Sequence, residues 1–358
     1  MKTGLKHSYS IVFLVLVLSF LNACAQDRSV IVHDPVMIKE GNTYYIFHTG
    51  RGILVKSSTD MRSWKEESQV FSESPAWVLR TIPRFRGSMW APDIFYHNGV
   101  YYLYYSVSAF GRNTSAIGVA TNTTLNPKDP KFKWVDQGKV VESVPGRDMW
   151  NAIDPNIIVD EQGTPWMVFG SFWMGMKMVK LNGDMKSIVN DSTQEWYTVA
   201  ARERNWKVDE RDAGDAANPE LDYESLYTPE QWQANKNMKN GAVEAPFLFR
   251  KNGYYYLFVS WDRCCRGLES SYKIAVGRSK EIRGPYVDKS GMKMIHGGGT
   301  LIASGNEEFA AVGHQAVYTF DGKDYLVFHA YDKKDDGKPK LRIKEIKWDA
   351  NGWPSIDW

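Results

Sequence analysis

The chain has 358 residues, of which 43% are hydrophobic and 24% are charged, and its formal net charge is +2. This composition is typical of a folded globular protein and excludes a largely disordered chain. The charge is close to neutral and no basic stripe is present, so we expect no binding to nucleic acid.

The first residues are typical of an export signal. Lys2 and Lys6 precede an apolar run from Ile11 to Phe20, and small residues follow. A segment of this length and these flanks is a signal peptide rather than a stable membrane span. We therefore predict a signal peptide over residues 1–23 and an exported protein.

The end of the signal peptide indicates a lipid anchor. The stretch LNAC, which ends at Cys24, resembles a bacterial lipobox, in which the cysteine becomes the lipidated first residue. Ordinary cleavage after Ala25 is the alternative, because Ala23 and Ala25 fit the small-x-small pattern. The protein is therefore expected to be exported, either as a bacterial outer-membrane lipoprotein or as a periplasmic or extracellular protein. Membrane contact is expected only through Cys24, and the protein is expected to be a monomer.

Five similar segments follow in chain order. Each has a short polar opening, an apolar strand, a turn that contains glycine, and a second strand rich in Tyr, Leu, Val and Phe. They begin at His33, Trp90, Ile153, Glu244 and Gly313. Four of them carry a proline near the opening: Pro35, Pro92, Pro155 and Pro246. Proline is tolerated at the first residue of a strand but not inside a central strand, so these prolines mark where strands begin.

The repeat predicts the fold. Further strand-like pieces lie between the segments, and the four prolines are 57, 63 and 91 residues apart. A unit of this size with about four strands is one blade of a propeller. We therefore predict an all-β, five-bladed propeller over residues 33–358, preceded by a short linker over 24–32. The 14 tryptophans and 19 tyrosines suit a large β core, and also rings on which sugars stack.

Two adjacent cysteines, Cys264 and Cys265, are the only ones after the signal region. A bridge between neighbours requires a small strained ring, so two buried thiols are the expectation and a vicinal disulfide is the alternative. No second Cys/His cluster has suitable spacing for a metal site here.

In a propeller, the first strands of all blades line the central channel. The openings of the five segments should therefore converge at one end of the axis, where they place Asp34, Asp93, Asp154, Glu244 and His314. Carboxylates crowded together push their pKa values apart, which provides the acid and base that proton transfer requires. Asp93 follows a proline and begins a strand, so a structural role is equally expected for it.

At these residues the sequence resembles glycoside hydrolase family 43, and within it the arabinanases that cut α-1,5-linked L-arabinofuranose chains. The matching stretches include HDP, WAPDIFY, NAIDPN, GSFW, VEAPF, CCRG and the terminal NGWP, in that order from His33 to Trp353. The resemblance implies that Asp34 is the general base, Glu244 the general acid, and Asp154 a third carboxylate that orients the acid and raises its pKa. It also implies inversion of configuration, which requires the base and acid about 6.5–9.5 Å apart.

The resemblance also implies residues that bind substrate and metal. Trp90 and Phe110 match aromatic sugar contacts, and Asn151 and Ser171 match polar groups near the bound sugar. His314 matches the residue that, with waters, holds a calcium ion, although calcium prefers oxygen ligands. No organic cofactor is expected, and the expected partners are arabinan and arabino-oligosaccharides.

Two departures from the family pattern bear on the mode of action. Ala311-Val312-Gly313 stands where the family usually has Gly-Pro-Gly, and an insertion covers about residues 205–240, just before Glu244. The expected function is endo-acting α-1,5-L-arabinanase. The alternatives are an exo-acting arabinofuranosidase or β-xylosidase of the same family, and a non-catalytic glycan-binding lipoprotein.

Overall fold

The computed structural model describes residues 30–145, 147–148, 150–190, 196–202 and 242–358. It confirms the predicted all-β propeller, because the described strands form five antiparallel sheets that follow one another along the chain, with a small hairpin at the end. The predicted signal peptide, Cys24 and the insertion at 205–240 lie outside the described residues.

The first three blades are formed by consecutive strands. Blade 1 contains β1 (Val36–Glu40), β2 (Thr43–His48), β4 (Leu54–Ser58) and β5 (Lys65–Glu67). Blade 2 contains β6 (Ser88–His97), β7 (Val100–Ser108), β8 (Ser115–Asn122) and β9 (Val135–Ser143), with the short β3 (Gly50–Arg51) paired to β6. Blade 3 contains β10 (Asn156–Val159), β11 (Pro165–Phe169), β12 (Met176–Lys180) and β13 (Tyr197–Ala200).

The last two blades complete the ring. Blade 4 contains β14 (Val243–Lys251), β15 (Tyr254–Trp261), β16 (Lys273–Ser279) and β17 (Thr300–Ala303). Blade 5 contains β18 (Phe309–Phe320), β19 (Lys323–Asp332) and β20 (Lys338–Glu345), and a hairpin of β21 (Lys347–Trp348) and β22 (Pro354–Ser355) follows. The described helices are short: α1 (Ala76–Thr81) and 3₁₀ turns at Gly267–Glu269, Met294–His296 and Lys333–Asp335. In the part of the chain that the structure describes, no helix has the length and apolar character needed to cross a membrane.

The start of the described chain pairs with the last blade. Val32 donates its N–H to the carbonyl of Pro339, and Leu341 donates its N–H to the carbonyl of Val30. Val30 and Val32 are buried, whereas Ile31 between them is exposed. Residues 30–32, which the sequence assigned to a linker, therefore lie beside β20 as an additional strand-like segment of blade 5 and close the ring.

The second strand of each blade carries the core. Its side chains are buried on both faces between neighbouring blades, as the continuous apolar runs predicted. One fully buried ring from each blade illustrates this arrangement: Phe47, Tyr104, Phe169, Phe258 and Phe328. Burying each such ring stabilises the fold by roughly 1.5–3 kcal/mol.

The topology brings two sets of residues to one end of the propeller. Consecutive strands of a blade are antiparallel, so the start of a first strand lies at the same end as the connection between the second and third strands. The predicted site residues fall in these two sets, at strand starts and in the connections beside them.

Candidate active site

One residue in each blade, either two positions before the first strand or at a register shift within it, has an unusual backbone conformation. The φ angles are 54°, 43°, 58°, 52° and 52°, in the left-handed region, at Asp34, Ala91, Asp154, Ala245 and His314. Non-glycine residues rarely adopt this conformation unless their surroundings hold them in it. The same turn therefore recurs once in every blade, and in four blades the next residue is the proline that marked the repeat.

The preceding blade holds each turn in place. The backbone N–H of each turn residue donates a hydrogen bond across the boundary between blades. The acceptors are His329 Nδ1 for Asp34, Thr49 Oγ1 for Ala91, Ser106 Oγ for Asp154, Asp154 Oδ2 for Ala245 and Ser260 Oγ for His314. A buried N–H without such a partner would cost about 1–3 kcal/mol, so the strained turns depend on ring assembly.

Asp34 is a buried carboxylate surrounded by hydrogen-bond donors. His33 Nδ1 lies 2.9 Å from Oδ2 and His314 Nδ1 lies 3.0 Å from Oδ1. Thr49 also donates its hydroxyl to Oδ2, at 2.5 Å. Burial alone would raise the pKa of Asp34, but the electrostatic interaction with His314 and His33, together with a hydrogen bond from His33, outweighs burial and holds this pKa well below its usual value. Asp34 is therefore ionised, which is the state that a general base requires.

Glu244 has the opposite electrostatic environment. Ser171 donates its hydroxyl to Oε2 at 2.6 Å, and Tyr272 donates its hydroxyl to Oε1 at 2.5 Å. Burial raises the pKa of Glu244; the two hydrogen bonds lower it in part, while the charge of Asp34 raises it further. Glu244 therefore retains a proton to higher pH than an ordinary glutamate does.

Asp154 links the acid to the third blade. Its Oδ2 accepts the N–H of Ala245, the neighbour of Glu244, at 3.1 Å. Burial, and then repulsion from Glu244 and Asp34, raises the pKa of Asp154 well above its usual value. Because Asp154 and Glu244 are buried together, they share the cost of ionisation, and the pair keeps a proton more strongly than either carboxyl would alone.

Asp93 is not part of this cluster, and its prediction as a converging acid is wrong. It lies two residues after the turn residue Ala91, so it occupies a different position along its strand from Asp34 and Asp154. Its Oδ2 instead accepts the backbone N–H of Ile157 on the next blade at 2.8 Å, and burial raises its pKa to about 7. Asn156 bonds the N–H of Leu248 in the same way, so this position joins blades.

The turns open into a cavity of about 550 Å³ at this end of the axis. Asp34, Asp154, Glu244 and His314 line it, together with the four predicted substrate residues Trp90, Phe110, Asn151 and Ser171. The rings of Trp90 and Phe110 meet edge to face with centroids 6.4 Å apart, and Phe110 is 74% exposed. An exposed aromatic ring at the rim of a cavity that also contains carboxyl groups is suited to contact a sugar face.

Several cavity residues were not predicted individually. Thr49, Phe172, Trp173 and Arg263 lie in connections between second and third strands, and all line the cavity. The five-blade topology indicates that these connections converge, but not which side chains face the axis. Tyr272, which contacts Glu244, lies just before β16 and had no motif to identify it.

The adjacent cysteines differ from the expectation of two buried thiols. Cys264 and Cys265 form a vicinal disulfide, and both line the cavity. Cys264 is half-buried and Cys265 is exposed. The buried-thiol prediction is wrong because the connection after β15 turns outwards over the cavity rather than into the core.

The surroundings of His314 bear on the predicted calcium ion. Its Nδ1 is directed at Asp34, and burial lowers its pKa, so the neutral ring has a lone pair at Nε2. A carboxylate that orients a histidine in this way is common in metal sites. In the described part of the chain, the side-chain groups spaced for a metal are His33 with Asp34 and His329, and His33 with the two cysteines. His314 thus fits as a single protein ligand, and water must supply the oxygen ligands.

An ionised carboxylate and a protonated carboxylic acid beside a cavity of sugar size are the two groups that glycoside hydrolysis requires. The fold and the site define a glycoside hydrolase. The profile of glycosyl hydrolases family 43 matches residues 29–213 and 215–354, and the chain belongs to this family.

Several relatives of the chain are named as arabinanases or arabinofuranosidases. The chain is 48% identical to an extracellular exo-α-(1→5)-L-arabinofuranosidase of Cellvibrio japonicus, over 92% of this chain and 87% of that protein. It is 42% identical to an extracellular endo-α-(1→5)-L-arabinanase of Bacillus subtilis, over 91% of this chain and 87% of that protein. The structure of a Cellvibrio cellulosa α-L-arabinanase complexed with arabinohexaose superimposes with a TM-score of 0.81 at 48% identity, covering 92% of this chain and 96% of that one.

Proposed function

We propose that this protein is an inverting hydrolase of α-1,5-linked L-arabinofuranosyl bonds in arabinan, and that it cuts within the chain. The observation that carries the proposal is the opposite protonation of two buried acids in one cavity: the pKa of Asp34 is lowered and that of Glu244 is raised. The names of the relatives support arabinan as the substrate.

The two acids have complementary roles in the reaction. Glu244 transfers its proton to the glycosidic oxygen as the bond to the anomeric carbon breaks. A water molecule attacks that carbon from the opposite face and loses a proton to Asp34, so the released sugar has inverted configuration. Asp154 holds the backbone beside Glu244 and discourages its ionisation before the proton is transferred.

Hydrolysis of linear arabinan by the purified protein tests the proposal. We expect a mixture of oligosaccharides as the early products, and the α-anomeric signal of the substrate to be replaced first by the β-anomer in a proton NMR time course. Absence of any released sugar contradicts the substrate assignment. Early release of the α-anomer contradicts inversion while leaving arabinan as the substrate.

Exo action is the second candidate. The relative with 48% identity is named an exo-enzyme, whereas the relative with 42% identity is named an endo-enzyme. The same product analysis separates the two modes: internal cleavage reduces the viscosity of arabinan early, whereas release from a chain end produces one short product from the start. Strong activity on aryl glycosides would favour the exo-acting arabinofuranosidase or β-xylosidase alternative.

We propose a calcium ion at His314, bound through Nε2 with water completing the shell. Such an ion supplies positive charge near the cavity, and the residues described above act beside it. Elemental analysis of the purified protein should find stoichiometric calcium in the wild type and lose it in His314→Ala, whatever the activity of either protein. Equal calcium content in the two proteins contradicts this assignment.

We also propose that the protein is exported and anchored through Cys24. The sequence motif supports lipidation, and the word extracellular in the names of both relatives supports export. Mass spectrometry of the mature N-terminus should find diacylglycerol on Cys24, and Cys24→Ala should release the protein from the membrane fraction. An unmodified N-terminus after Ala25 would instead support ordinary cleavage.

A further inference from the structure

The reaction chemistry does not account for the vicinal disulfide. It lies between β15 and β16, at the cavity wall. Cys265 Sγ is 3.7 Å from Nε2 of His33, and Nδ1 of the same ring lies 2.9 Å from Asp34. The bridge is therefore separated from the general base by a single imidazole.

The disulfide contributes little to stability through the unfolded chain. A bridge stabilises by closing a loop, and a bridge between neighbouring residues closes none. The connection is positioned by other contacts: Cys265 donates its N–H to the Tyr331 hydroxyl at 2.8 Å, and Ser271 donates its N–H to the carbonyl of Arg263 at 2.9 Å. The position of the bridge at the cavity therefore indicates a local function.

The position in the ring places the disulfide across from the aromatic pair. Phe110 lies in the connection between the second and third strands of blade 2, and the disulfide lies in the same connection of blade 4. Two blades that are not adjacent in a ring of five face each other across the axis. Trp90 and Phe110 on one side, and Cys264–Cys265 on the other, are thus two apolar walls of one cavity.

The chemistry of the bridge suits a sugar. Disulfide sulfur is polarizable and largely apolar, and it has no hydrogen to donate. A furanose ring presents C–H groups that pack on such a surface while its hydroxyls bond to polar side chains. Two free thiols would separate, because no bond would hold their sulfurs together as one surface.

We propose that the Cys264–Cys265 disulfide is a binding surface for an arabinofuranosyl unit beside the reacting carboxylates. This inference rests on the proposed arabinan hydrolysis and identifies a contact of the same site. It makes affinity for the arabinan chain dependent on the oxidised state of the bridge.

Titration calorimetry with arabinohexaose tests the proposal in the full-length protein carrying Glu244→Gln, which prevents hydrolysis during the measurement. Adding Cys264→Ala and Cys265→Ala should weaken binding about tenfold, the loss expected from one lost apolar contact. Leu268→Ala is the matched control: Leu268 is exposed in the same connection but does not line the cavity, so its removal should leave the Kd unchanged.

Reduction of the disulfide in the protein with both cysteines present provides a second measurement, and the cysteine double variant is its control. A water-soluble phosphine breaks the S–S bond and is oxidised to the phosphine oxide with oxygen from water, and the two sulfurs become thiols. We expect the same loss of affinity, reversed on reoxidation and absent from the cysteine double variant.

The outcomes separate this inference from the proposed function. If arabinohexaose does not bind even with the disulfide intact, arabinan as substrate fails and the inference fails with it. If it binds and neither reduction nor the double variant changes the Kd, the disulfide is not a binding surface, while the proposed function stands. If the double variant does not fold, the effect of reduction on the intact protein decides the question.

Discussion

At the scale of single residues, the site depends on different surroundings for chemically similar groups. Asp34 is surrounded by three imidazoles. Glu244 instead accepts hydrogen bonds from two hydroxyls, and the N–H of its neighbour Ala245 donates to Asp154. Both acids are buried, so burial alone does not distinguish them. The imidazoles that face Asp34 therefore decide which of the two carboxyl groups is ionised.

The two acids should respond differently to removal. Glu244→Ala removes the proton donor, so arabinan, whose leaving group is poor, should lose about 10²- to 10⁴-fold in kcat. An aryl arabinofuranoside with an acidic leaving group needs little protonation and should retain far more activity. Asp34→Ala should abolish turnover of both substrates, because no group accepts the proton of the attacking water. Steady-state kinetics on both substrates checks this, and the reverse pattern would exchange the two roles.

The pH profile should reflect the hydroxyls on Glu244. Activity requires ionised Asp34 and protonated Glu244, so kcat/KM should fall as pH rises through the raised pKa of Glu244. The Tyr272 hydrogen bond stabilises the ionised carboxylate, so Tyr272→Phe should raise that pKa and move the descending limb to higher pH. Profiles of kcat/KM against pH for the two proteins measure the shift. A shift to lower pH would show that Tyr272 stabilises the protonated form instead.

At the scale of elements, the strand starts and the connections around the axis are mutually dependent. Gly313 on β18 illustrates this, because a Cβ there would lie 2.1 Å from Cδ1 of Tyr272. The Tyr272 ring occupies that space, and its hydroxyl reaches Glu244. The absence of a side chain at Gly313 in blade 5 therefore leaves room for the hydrogen bond between Tyr272 and Glu244 in blade 4.

Gly313→Ala should displace the Tyr272 ring. Overpacking of this kind costs typically about 1–3 kcal/mol of stability, and we expect kcat on arabinan to fall by about tenfold or more as the Glu244 contact is lost. Denaturant unfolding and kinetics measure the two effects. Gly183→Ala is the matched control, since no heavy atom lies within 4 Å of a Cβ at that position. Unchanged kinetics in Gly313→Ala would show that the Tyr272 contact is dispensable.

At the scale of the whole molecule, the ring must close for the turns at the axis to hold. Blade 5 has three strands from its own stretch of chain, and residues 30–32 add the pairing on its outer side. Asp34 follows this segment by two residues, so ring closure and the position of the proposed general base are coupled.

The closing segment should therefore contribute to stability. Val32 is fully buried, and Val32→Ala should lower the free energy of unfolding by about 2 kcal/mol because two buried methyl groups are lost. Ile31→Ala removes a larger side chain that is 48% exposed, and it should cost much less. Urea unfolding of both variants is the measurement. Equal losses would mean that residues 30–32 do not close the ring as a strand.

The sequence was sufficient for the blades and for eight of the residues that line the cavity, because both depend on local patterns. Apolar strands and glycine turns repeat five times, four of the five repeats carry a proline near the strand start, and family motifs mark Asp34, Asp154 and Glu244 near those starts. These patterns follow from backbone geometry, which each short segment expresses by itself.

Contacts between blades were decided only by the tertiary structure. Asp93 reads like Asp34 in sequence, yet a shift of two positions along the strand turns its carboxylate to the next blade. The imidazoles around Asp34 come from residues 33, 314 and 329, and Ser171 of blade 3 donates its hydroxyl to Glu244 of blade 4. Segments far apart in the chain create these environments only when the ring closes. The sequence therefore identified the ionisable groups, whereas their protonation depends on packing and charge that exist only in the folded ring.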